Sequence, residues 1–439
     1  MSFNGVDERF YRVDDENLVD VMDGIDEEYH AADDANLDEY EMMMKVTDTS
    51  SSQAREGKDI QGIPWDRLNI TRGSYRLTRL EQYRNYENLP SSGRAADKGS
   101  NSTDKGGRYY EFFHNTRVVK PTFLHFQLRN LVWTTSKHDV YLLANSSIMH
   151  WSSLLQNLTE VLNFSGNIEP TERYPGTLLE GFTRTQLSTL AVKDRFLVAG
   201  GFHGELICKC LDKSGVSFCT RATHDENAII NAIDIYDTSS GLHFMASSND
   251  CGVREYDMER FQLLNHFHLP WAVNHTSMSP DRKLLAVVGD APDGLLLDAR
   301  NGRKIASVAG HLDYSFASGW HPDGRIFATG NQDKTCRVWD VRNLASPVAI
   351  LKGNMGAIRS IRFSADGQFL VMAEPADFVH IYNTRENFKQ RQELDFFGEI
   401  TGASLSPDDE SIYIGIWDRT YASLLQFNRR HAYEYLDSL

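Results

Sequence analysis

Four short stretches toward the C-terminal end of the chain repeat one another at an almost constant spacing. They are Met278-Ser279-Pro280-Asp281, Trp320-His321-Pro322-Asp323, Phe363-Ser364-Ala365-Asp366 and Leu405-Ser406-Pro407-Asp408, and their aspartates lie 42, 43 and 42 residues apart. Self-similarity at a fixed period in this range indicates an array of like structural units, either stacked or closed into a ring. The repeat therefore constrains the fold more strictly than any local secondary-structure preference.

Each unit contains apolar runs separated by a turn, which is the pattern of a strand hairpin. The seven hairpin segments span residues 140–151, 195–210, 242–257, 283–298, 325–340, 368–383 and 411–428. Four short antiparallel strands cannot cover both faces of their own sheet, whereas a radial arrangement covers each sheet with its neighbours. We therefore predict an all-β fold, a seven-bladed β-propeller.

The acidic charge of the chain is concentrated at its N-terminal end. Residues 1–50 contain 16 Asp or Glu and 3 Lys or Arg, a net charge of −13, and the whole chain carries −16. Acidity with few branched apolar residues favours disorder. We predict an acidic disordered tail at 1–59, an arginine and aromatic helix with a flexible linker at 60–117 (residues 90–107 being the flexible part), and a propeller at 118–439.

A helix is predicted in the second region, capped by Ser74, running through residues 75–86 and ending before Pro90. An apolar stripe and a basic face lie on different sides of it: Leu77, Leu80, Tyr83 and Tyr86 against Arg72, Arg76 and Arg79. Arginines with aromatics are typical of nucleic-acid-binding segments, but Glu81 and Glu87 interrupt this one. We expect the helix to dock on the main domain or to pair with the acidic tail, and expect no direct nucleic-acid binding.

The cysteine pattern and the lack of targeting signals indicate the cellular compartment in which this protein is expected. Five cysteines without framework spacing favour a reducing environment. Cys208, Cys210, Cys219 and His203 are close in sequence, but alternate residues of a strand merely share a face, and zinc needs four converging ligands. The chain begins without a basic head and apolar run, and no segment approaches the ~20 apolar residues of a membrane helix. We predict an intracellular protein with no metal, no cofactor and no membrane contact.

One unit resembles the WD-repeat family. Gly310-His311, Thr329, Asp333 and Val338-Trp339-Asp340 stand at the positions of its signature, which is complete in this unit only. The resemblance implies a WD-repeat β-propeller in which four side chains form a hydrogen-bonded structural tetrad. Its members are His311, Thr329, Asp333 and Trp339. It also implies a monomeric propeller that binds proteins.

A narrower resemblance covers almost the whole chain. It rests on residues 62–67, 78–83, 85–88 and 126–133, together with the acidic leader. These stretches resemble a little-characterised plant and fungal WD-repeat family. That resemblance implies a protein of nucleus and cytoplasm, and plant members have been linked to stress-hormone signalling.

The sequence carries no motif of a common catalytic site. A phosphate-binding Gly-x-x-x-x-Gly-Lys-Ser/Thr loop, a His-Glu-x-x-His helix and a Gly-x-Ser-x-Gly elbow are all missing from it. Together with the WD-repeat resemblance, this leads us to predict no catalytic residues and no enzymatic activity.

The segment from Phe327 to Arg342 resembles the sixteen-residue box by which some WD-repeat proteins dock on the adaptor of cullin-4 ubiquitin ligases. The resemblance implies that Asp340 and Arg342 bind a partner, since Arg342 would offer a planar multi-donor group. The same Trp-Asp-x-Arg pattern also arises from the repeat consensus, in which case Arg342 is a solvated surface residue.

A second set of candidate partner-binding residues is expected near the mouth of the central channel. Phe316 and Arg359 fall on inner strands, seven residues before the repeated aspartate, while Trp271 and Trp417 fall in loops. Trp and Arg are enriched among binding hot spots, although packing is the ordinary role of Phe316.

Leu155, Leu158, Leu162 and Phe164 match the loose spacing of a nuclear-export peptide, which would make nuclear transport receptors partners. The same spacing is common in amphipathic helices and outer strands.

Together these observations predict a non-enzymatic protein-interaction scaffold, regulatory in nucleus and cytoplasm, that serves as a substrate receptor for a cullin-4 type ubiquitin ligase. The alternative is an acidic-tailed chaperone or adaptor for histones or other basic proteins.

Overall fold

Each repeated aspartate lies in the turn that joins the first and second strands of a sheet. In three of these turns a serine donates its hydroxyl to the aspartate: Ser279 to Asp281 at 2.7 Å, Ser364 to Asp366 at 2.7 Å and Ser406 to Asp408 at 2.5 Å. The next residue is left-handed in all four turns, with φ of 60° to 70° at Arg282, Gly324, Gly367 and Asp409. Aspartate stabilises such turns by bonding to the nearby backbone. The period of the sequence is thus one such turn per sheet.

The computed structural model describes residues 47–96, 99–171, 181–225 and 228–431. Its N-terminal elements are β1 (Thr49–Ser50), α1 (Ser51–Arg55), α2 (Arg72–Gln82), α3 (Ser92–Ala96) and β2 (Tyr110–Thr116). The helix α2 is capped by Thr71, whose side chain accepts a hydrogen bond from the Ser74 amide, and it ends at Tyr83. The predicted helix is therefore real but begins and ends about three residues earlier, because Thr71 rather than Ser74 caps it.

Five four-stranded antiparallel sheets follow, each with its strands in chain order. The first is β3 (Val132–Thr134), β4 (Asp139–Ala144), β5 (Ser147–Ser152) and β6 (Asn157–Asn163). The short pair β7 (Asn167–Ile168) and β8 (Phe182–Thr183) leads to the second: β9 (Leu187–Lys193), β10 (Phe196–Gly201), β11 (Glu205–Cys210) and β12 (Phe218–Arg221). The third is β13 (Ile230–Thr238), β14 (Gly241–Ser248), β15 (Gly252–Asp257) and β16 (Gln262–His268).

The fourth sheet is β17 (Val273–Met278), β18 (Leu284–Gly289), β19 (Ala291–Asp298) and β20 (Lys304–Val308). The fifth is β21 (Ser315–Trp320), β22 (Ile326–Asn331), β23 (Thr335–Asp340) and β24 (Ala349–Lys352). The remaining strands are β25 (Ser360–Phe363), β26 (Phe369–Ala373), β27 (Ala376–Asn383), β28 (Arg391–Leu405), β29 (Ser411–Trp417) and β30 (Ser423–Arg429).

One long strand joins the last two units. Residues 391–395 of β28 pair with β27, whereas residues 399–405 pair with β29. The eight-stranded sheet that results therefore contains a sixth unit, β25 to the first half of β28, and a seventh, the second half of β28 with β29, β30 and β2. The described residues thus hold seven four-stranded units, consistent with the predicted blades.

The hydrophobic core lies between neighbouring units rather than inside any one of them. Seven apolar clusters of described residues each combine side chains from two adjacent units, and one of them joins Val132 and Val140 of the first unit to Tyr413 and Leu424 of the last. The inner strands also contact one another in a closed order that returns from β28 to β3. The units therefore form a ring, and the predicted all-β propeller is confirmed.

The ring has two faces, because antiparallel strands alternate the side on which their connections fall. We call the face with the repeated aspartates and Arg342 the lower face. The face with Asp333, Asp377 and the loops between units is the upper face.

The predicted domain boundaries do not coincide with the ends of the ordered elements. Strand β1 and helix α1 lie inside the segment 1–59 that was predicted to be disordered, and β2, inside the predicted linker, is the outer strand of the seventh unit. The part of 90–107 predicted to be flexible contains α3, and Asp104 exchanges backbone hydrogen bonds with Lys389 and Arg391. A single strand that pairs with a distant one carries no repeat signal of its own. Residues 1–46 lie outside the described residues.

In the described ranges, no helix combines the length and apolarity needed to cross a membrane. Cys208 and Cys219 are buried in different apolar clusters, on opposite faces of the second sheet. Burial raises the pKa of the Cys219 thiol to about 12. These cysteines therefore act as small apolar core residues.

Candidate functional site

The tetrad implied by the WD-repeat resemblance is assembled in the fifth unit. His311 bonds through Nε2 to Thr329 Oγ1 at 2.8 Å and through Nδ1 to Asp333 Oδ2 at 3.1 Å. Trp339 donates its indole N–H to the same Thr329 oxygen at 2.9 Å. All four side chains are buried, so they hold the upper-face loop against the sheet and are not a surface for partners.

The basic face of α2 is docked on the upper face of the ring. Arg76 pairs with Asp377 at 2.6 Å and with Asp395 at 2.5 Å, and it also donates to the Phe396 carbonyl. Arg79 makes a two-pronged contact with Asp377, at 2.9 and 2.7 Å. Burial opposes the charged form of Arg79, but the charge of Asp377 outweighs it and raises the pKa of this guanidinium. The expected docking on the main domain is found, and its partners are carboxylates of the ring.

The chain after α2 continues over the loops around the channel mouth. Asn85 accepts a hydrogen bond from the Ala357 amide at 2.9 Å and donates to the Gln332 carbonyl at 2.9 Å. Asp313, which is fully buried, accepts hydrogen bonds from the Asn88 and Leu89 amides, both at 3.1 Å, and from Ser92 Oγ at 2.7 Å. Residues 83–92 are therefore bound on the upper face by polar contacts to the fifth and sixth units.

Phe316 and Arg359, two of the predicted partner-binding residues, lie beneath this segment. Their side chains are only 6% and 4% exposed, and the Arg359 guanidinium lies 4.3 Å from the centre of the Phe316 ring. Arg359 also donates to the Gln332 side chain at 2.5 Å, and Gln332 in turn donates to the Tyr86 carbonyl. Burial, with the nearby charge of Arg129, lowers the pKa of Arg359 to about 9. In this structure neither residue offers a surface to another protein, because the chain covers them itself.

The two predicted tryptophans, Trp271 and Trp417, differ in how far they are exposed to solvent. Trp271 is half-buried and packs over Gly289, where an added Cβ would come within 2.6 Å of its ring. Trp417 is 36% exposed and meets Phe123 edge-on, with 5.6 Å between ring centres. Of the four residues predicted around the channel, Trp417 is the most accessible.

Asp340 and Arg342 lie on the lower face, away from the covered channel mouth. The Arg342 side chain is 63% exposed, and its guanidinium pairs with Asp340 at 2.5 Å. The hydrogen bonds from Arg342 lower the pKa of Asp340 to about 2. Asp340 also accepts the backbone N–H of Arg342 at 2.9 Å, so the two residues form a local clasp. The guanidinium is accessible and held close to the end of β23.

The residues with export-peptide spacing form the outer strand β6 and the loops beside it. Leu155 is exposed, but Leu162 and Phe164 are buried in the cluster between the first and second units. A transport receptor could not bind the Phe164 side chain unless that side chain first left the core. The outer-strand interpretation of this pattern is therefore correct, and the export interpretation is wrong for the folded chain.

The carboxylates that anchor the N-terminal segment were not predicted as functional residues. Asp377 belongs to a second series of aspartates that recurs with the repeat, 43, 40, 44 and 41 residues apart, so its position was visible in the sequence. The series is Asp250, Asp293, Asp333, Asp377 and Asp418. Nothing in the sequence links Asp313 or Asp395 to residues more than 200 positions earlier.

Comparisons with known proteins agree with this geometry. Residues 302–340 match the family described as WD domain, G-beta repeat, and residues 356–395 match an uncharacterised protein domain, DUF2415. The first of these segments contains all four residues of the tetrad, His311, Thr329, Asp333 and Trp339.

Relatives cover different shares of the chain. It is 26% identical over 316 residues to the uncharacterized protein C4G3.03 of Schizosaccharomyces pombe, covering 66% of this chain and 84% of that protein. It is 33% identical over 124 residues to pre-mRNA-processing factor 19 homolog 2 of Arabidopsis thaliana, which covers 27% of this chain and 22% of the relative.

A chain in the crystal structure of the mitotic checkpoint complex has a similar fold, with a TM-score of 0.56 and 14% identity, over 75% of this chain and 92% of that chain. Propellers built from such repeats are typically non-enzymatic scaffolds for protein interactions. The closed ring, the tetrad and the repeat match agree: this chain folds as a WD-repeat β-propeller.

Proposed function

We propose that this protein is a non-enzymatic scaffold that presents a client to a cullin-4 type ubiquitin ligase, with Arg342 as its docking residue. The observation that carries the proposal is the accessibility of Arg342 on the lower face, two residues beyond the Trp339-Asp340 end of β23. A planar guanidinium can donate to a carboxylate or to several carbonyls of a partner at once. Arginine is also among the residues that dominate binding energy at interfaces.

The upper face supports the same assignment by elimination. Phe316 and Arg359 are covered by residues 83–92, so the channel mouth is occupied within the chain. A partner that binds without displacing this segment can use the lower face, the side of the ring, the exposed surface of α2 or uncovered residues such as Trp417.

We propose nucleus and cytoplasm as the setting, with a role in stress-hormone signalling of the kind that the plant and fungal resemblance implies. Similarity to a pre-mRNA-processing factor supports the nuclear part of this proposal.

The ligase proposal is tested by affinity purification of the intact protein and of an Arg342→Ala variant. We expect recovery of the ligase adaptor to fall by about ten-fold or more in the variant, as for a binding hot spot. Arg67→Ala is the control, because Arg67 is an arginine of the N-terminal segment with a similarly exposed side chain, and its loss should leave recovery unchanged. Failure of the intact protein to recover the adaptor would rule out the ligase role. Equal recovery by the intact protein and the Arg342→Ala variant would rule out Arg342 as the docking residue.

A second function is favoured by the charge of the first 46 residues, which contain 15 Asp or Glu and 3 Lys or Arg. An acidic segment of this kind suits a chaperone or adaptor for histones or other basic proteins. Binding to histones that weakens steeply with salt and disappears on removal of residues 1–46 would support this function. The deletion stops at residue 46 because β1 is part of the ring.

A further inference from the structure

Four arginines occupy the same position in four consecutive units of the ring. They are Arg300, Arg342, Arg385 and Arg430, which we call the arginine arc, and they lie 42, 43 and 45 residues apart. In each unit the third strand pairs with the second, and the arginine comes two residues after the last paired residue of that third strand. These last paired residues are Asp298, Asp340, Asn383 and Asn428. All four are exposed, and the connection that carries them lies on the lower face.

The backbone fixes three of these positions in the same way. The amide of Arg300 donates to Asp298 Oδ1 at 2.9 Å, that of Arg342 to Asp340 Oδ1 at 2.9 Å, and that of Arg385 to Asn383 Oδ1 at 3.0 Å. The amide of Arg430 donates instead to the Tyr109 carbonyl at 2.8 Å, just before the strand that closes the ring. Three of the four side chains therefore start from equivalent points, and the fourth is fixed by a different backbone contact.

Most of this charge is not neutralised inside the fold. Arg342 pairs with Asp340, but within the described part of the chain no carboxylate lies within 4.0 Å of the charged nitrogens of Arg300, Arg385 or Arg430. Nearby repeat aspartates are engaged in their own turns, as Asp281 is with Ser279 and Asp366 with Ser364 and Arg429. The arc can therefore accept carboxylates from outside the ring.

A pocket of about 480 Å³ lies at the Arg430 end of the arc. Arginines and aromatic rings line it together, Arg108, Arg429 and Arg430 with Tyr109 and Phe369, and Gln368 and His431 complete the lining. The Tyr109 and Phe369 rings are 4.9 Å apart, and the Arg429 guanidinium lies 5.0 Å from the centre of the Phe369 ring. Such a wall suits an aromatic or methionine side chain with acidic residues on either side of it.

The chain carries a segment with the matching chemistry. Residues 1–46 have a net charge of −12, and Tyr40-Glu41-Met42-Met43-Met44 places aromatic and methionine side chains among the acidic ones. The segment joins the ring beside β2, because Thr49 pairs with Asn115. The length of β2 is roughly 20 Å, whereas 46 residues can span about 150 Å, so the segment reaches both the pocket and the arc.

We propose that residues 1–46 bind the arginine arc of their own chain, with acidic side chains on the four arginines and a tyrosine or methionine in the pocket. Tethering gives such a segment an effective concentration of about millimolar, so even weak ion pairs fill the site. The proposal does not depend on the ligase role. Both occupants would use Arg342, so a ligase adaptor that docks there would have to displace the segment from that residue.

The test places a photo-reactive phenylalanine analogue at Tyr40 of the full-length chain and maps its cross-links by mass spectrometry. We expect cross-links to the lower face around the pocket and the arc, at a yield independent of protein concentration. The charge-reversed variant R300E/R342E/R385E/R430E should give about ten-fold fewer of them, because surface ion pairs contribute additively but weakly.

The matched control is R55E/R67E/R84E/R94E, which reverses four exposed arginines of the N-terminal elements and should leave the yield unchanged. A salt titration of the unaltered chain is the second measurement, and the yield should fall as salt rises. Equal yields in the two variants, or cross-links to the upper face, would overturn the proposal. Cross-links that appear only at high concentration would assign the arc to a second copy and overturn it as well.

Discussion

Asp333 is a fully buried carboxylate that accepts hydrogen bonds from several directions. His311 Nδ1 lies 3.1 Å away, the Leu312 amide 3.0 Å, and the amide and hydroxyl of Thr335 lie 2.9 and 2.6 Å away. Burial acts to raise the pKa of this carboxyl, but the charge and hydrogen bonds of His311, with those of Thr335 and Leu312, outweigh it and lower the pKa. The folded state therefore favours the ionised form of Asp333.

The lowered pKa of Asp333 predicts how the stability of the fold changes at acidic pH. A carboxyl whose pKa is lower in the folded than in the unfolded chain stabilises the fold above the ordinary pKa, about 3.9, and loses that contribution as the pH falls through the folded value. We expect Asp333→Asn to lower the free energy of unfolding at pH 7 by roughly 1–3 kcal/mol. The further loss of stability below about pH 4 should be smaller in the variant than in the unaltered protein.

Urea unfolding followed by circular dichroism at pH 7 and at acidic pH measures both quantities. Asp66→Asn is the control, since Asp66 is an exposed residue of the N-terminal segment. Parallel acid curves for the unaltered chain and Asp333→Asn would contradict the assigned role of the carboxylate.

Helix α2 has its charged face buried and part of its apolar face in solvent. The Arg76 guanidinium lies between the rings of Phe378 and Phe397, 4.5 and 4.2 Å from their centres, whereas Leu77 and Leu80 are 62% and 41% exposed. The sequence pattern correctly separated the two faces of this helix. It could not tell which one is buried, because the carboxylates that decide it, Asp377 and Asp395, are about 300 residues away.

We expect Arg79→Ala to loosen α2 without unfolding the sheets. The change leaves Asp377, which is fully buried, with one cationic partner instead of two, and breaking a buried pair costs roughly 3 kcal/mol. Amide hydrogen exchange in residues 72–82 should accelerate by about 100-fold, whereas exchange in β21 to β23 should stay as it is. The matched control is Arg84→Ala, whose side chain bonds only to the Glu81 carbonyl in the described residues. Unchanged exchange in α2 would mean that the helix is held mainly by other contacts.

The strand hairpins were predictable because their signals are local. Alternating apolar residues and turn aspartates lie within sixteen residues of one another, and the predicted hairpins match β4 with β5, β10 with β11, and their counterparts through β29 with β30. The outer strand β2 was missed, since it occurs once and pairs with a strand more than 300 residues later. The tetrad members were predictable from the resemblance to the WD-repeat signature, whereas the burial of Phe316 and Arg359 depends on a segment outside the repeats.

At the scale of the whole molecule, the ring is closed by strands from both ends of the chain. Tyr110 pairs with Arg429 and Thr116 with Leu424, so β2 supplies the fourth strand of a unit whose other three strands come from residues 399–429. The Tyr110 hydroxyl also donates to the Asp409 carbonyl at 2.8 Å in the buried interior. Because each unit is covered by its neighbours, an incomplete last unit weakens both of its contacts.

A chain that begins at residue 118, the boundary predicted from the sequence, should therefore not form a stable ring. It would leave the edge of β30 unpaired and Phe427 uncovered, which favours aggregation. A chain that begins at residue 47 retains β1, α2 and β2, and we expect it to unfold cooperatively. Thermal unfolding followed by circular dichroism and size-exclusion chromatography compares the two. A stable, monomeric 118–439 chain would show that β2 is dispensable.

The docked position of α2 has a consequence for how the protein is made. Arg76 leaves the ribosome 301 residues before its partner Asp377, a delay of roughly 15–60 s at 5–20 residues per second. During that time the arginines, Tyr83 and the strand β2 have no place to bind, while the middle units are already able to pair. The nascent chain thus carries an unsatisfied aromatic and cationic segment through most of its synthesis. Chaperones that shield such segments during translation would have their longest opportunity at residues 59–116, and the last unit would be the step that releases them.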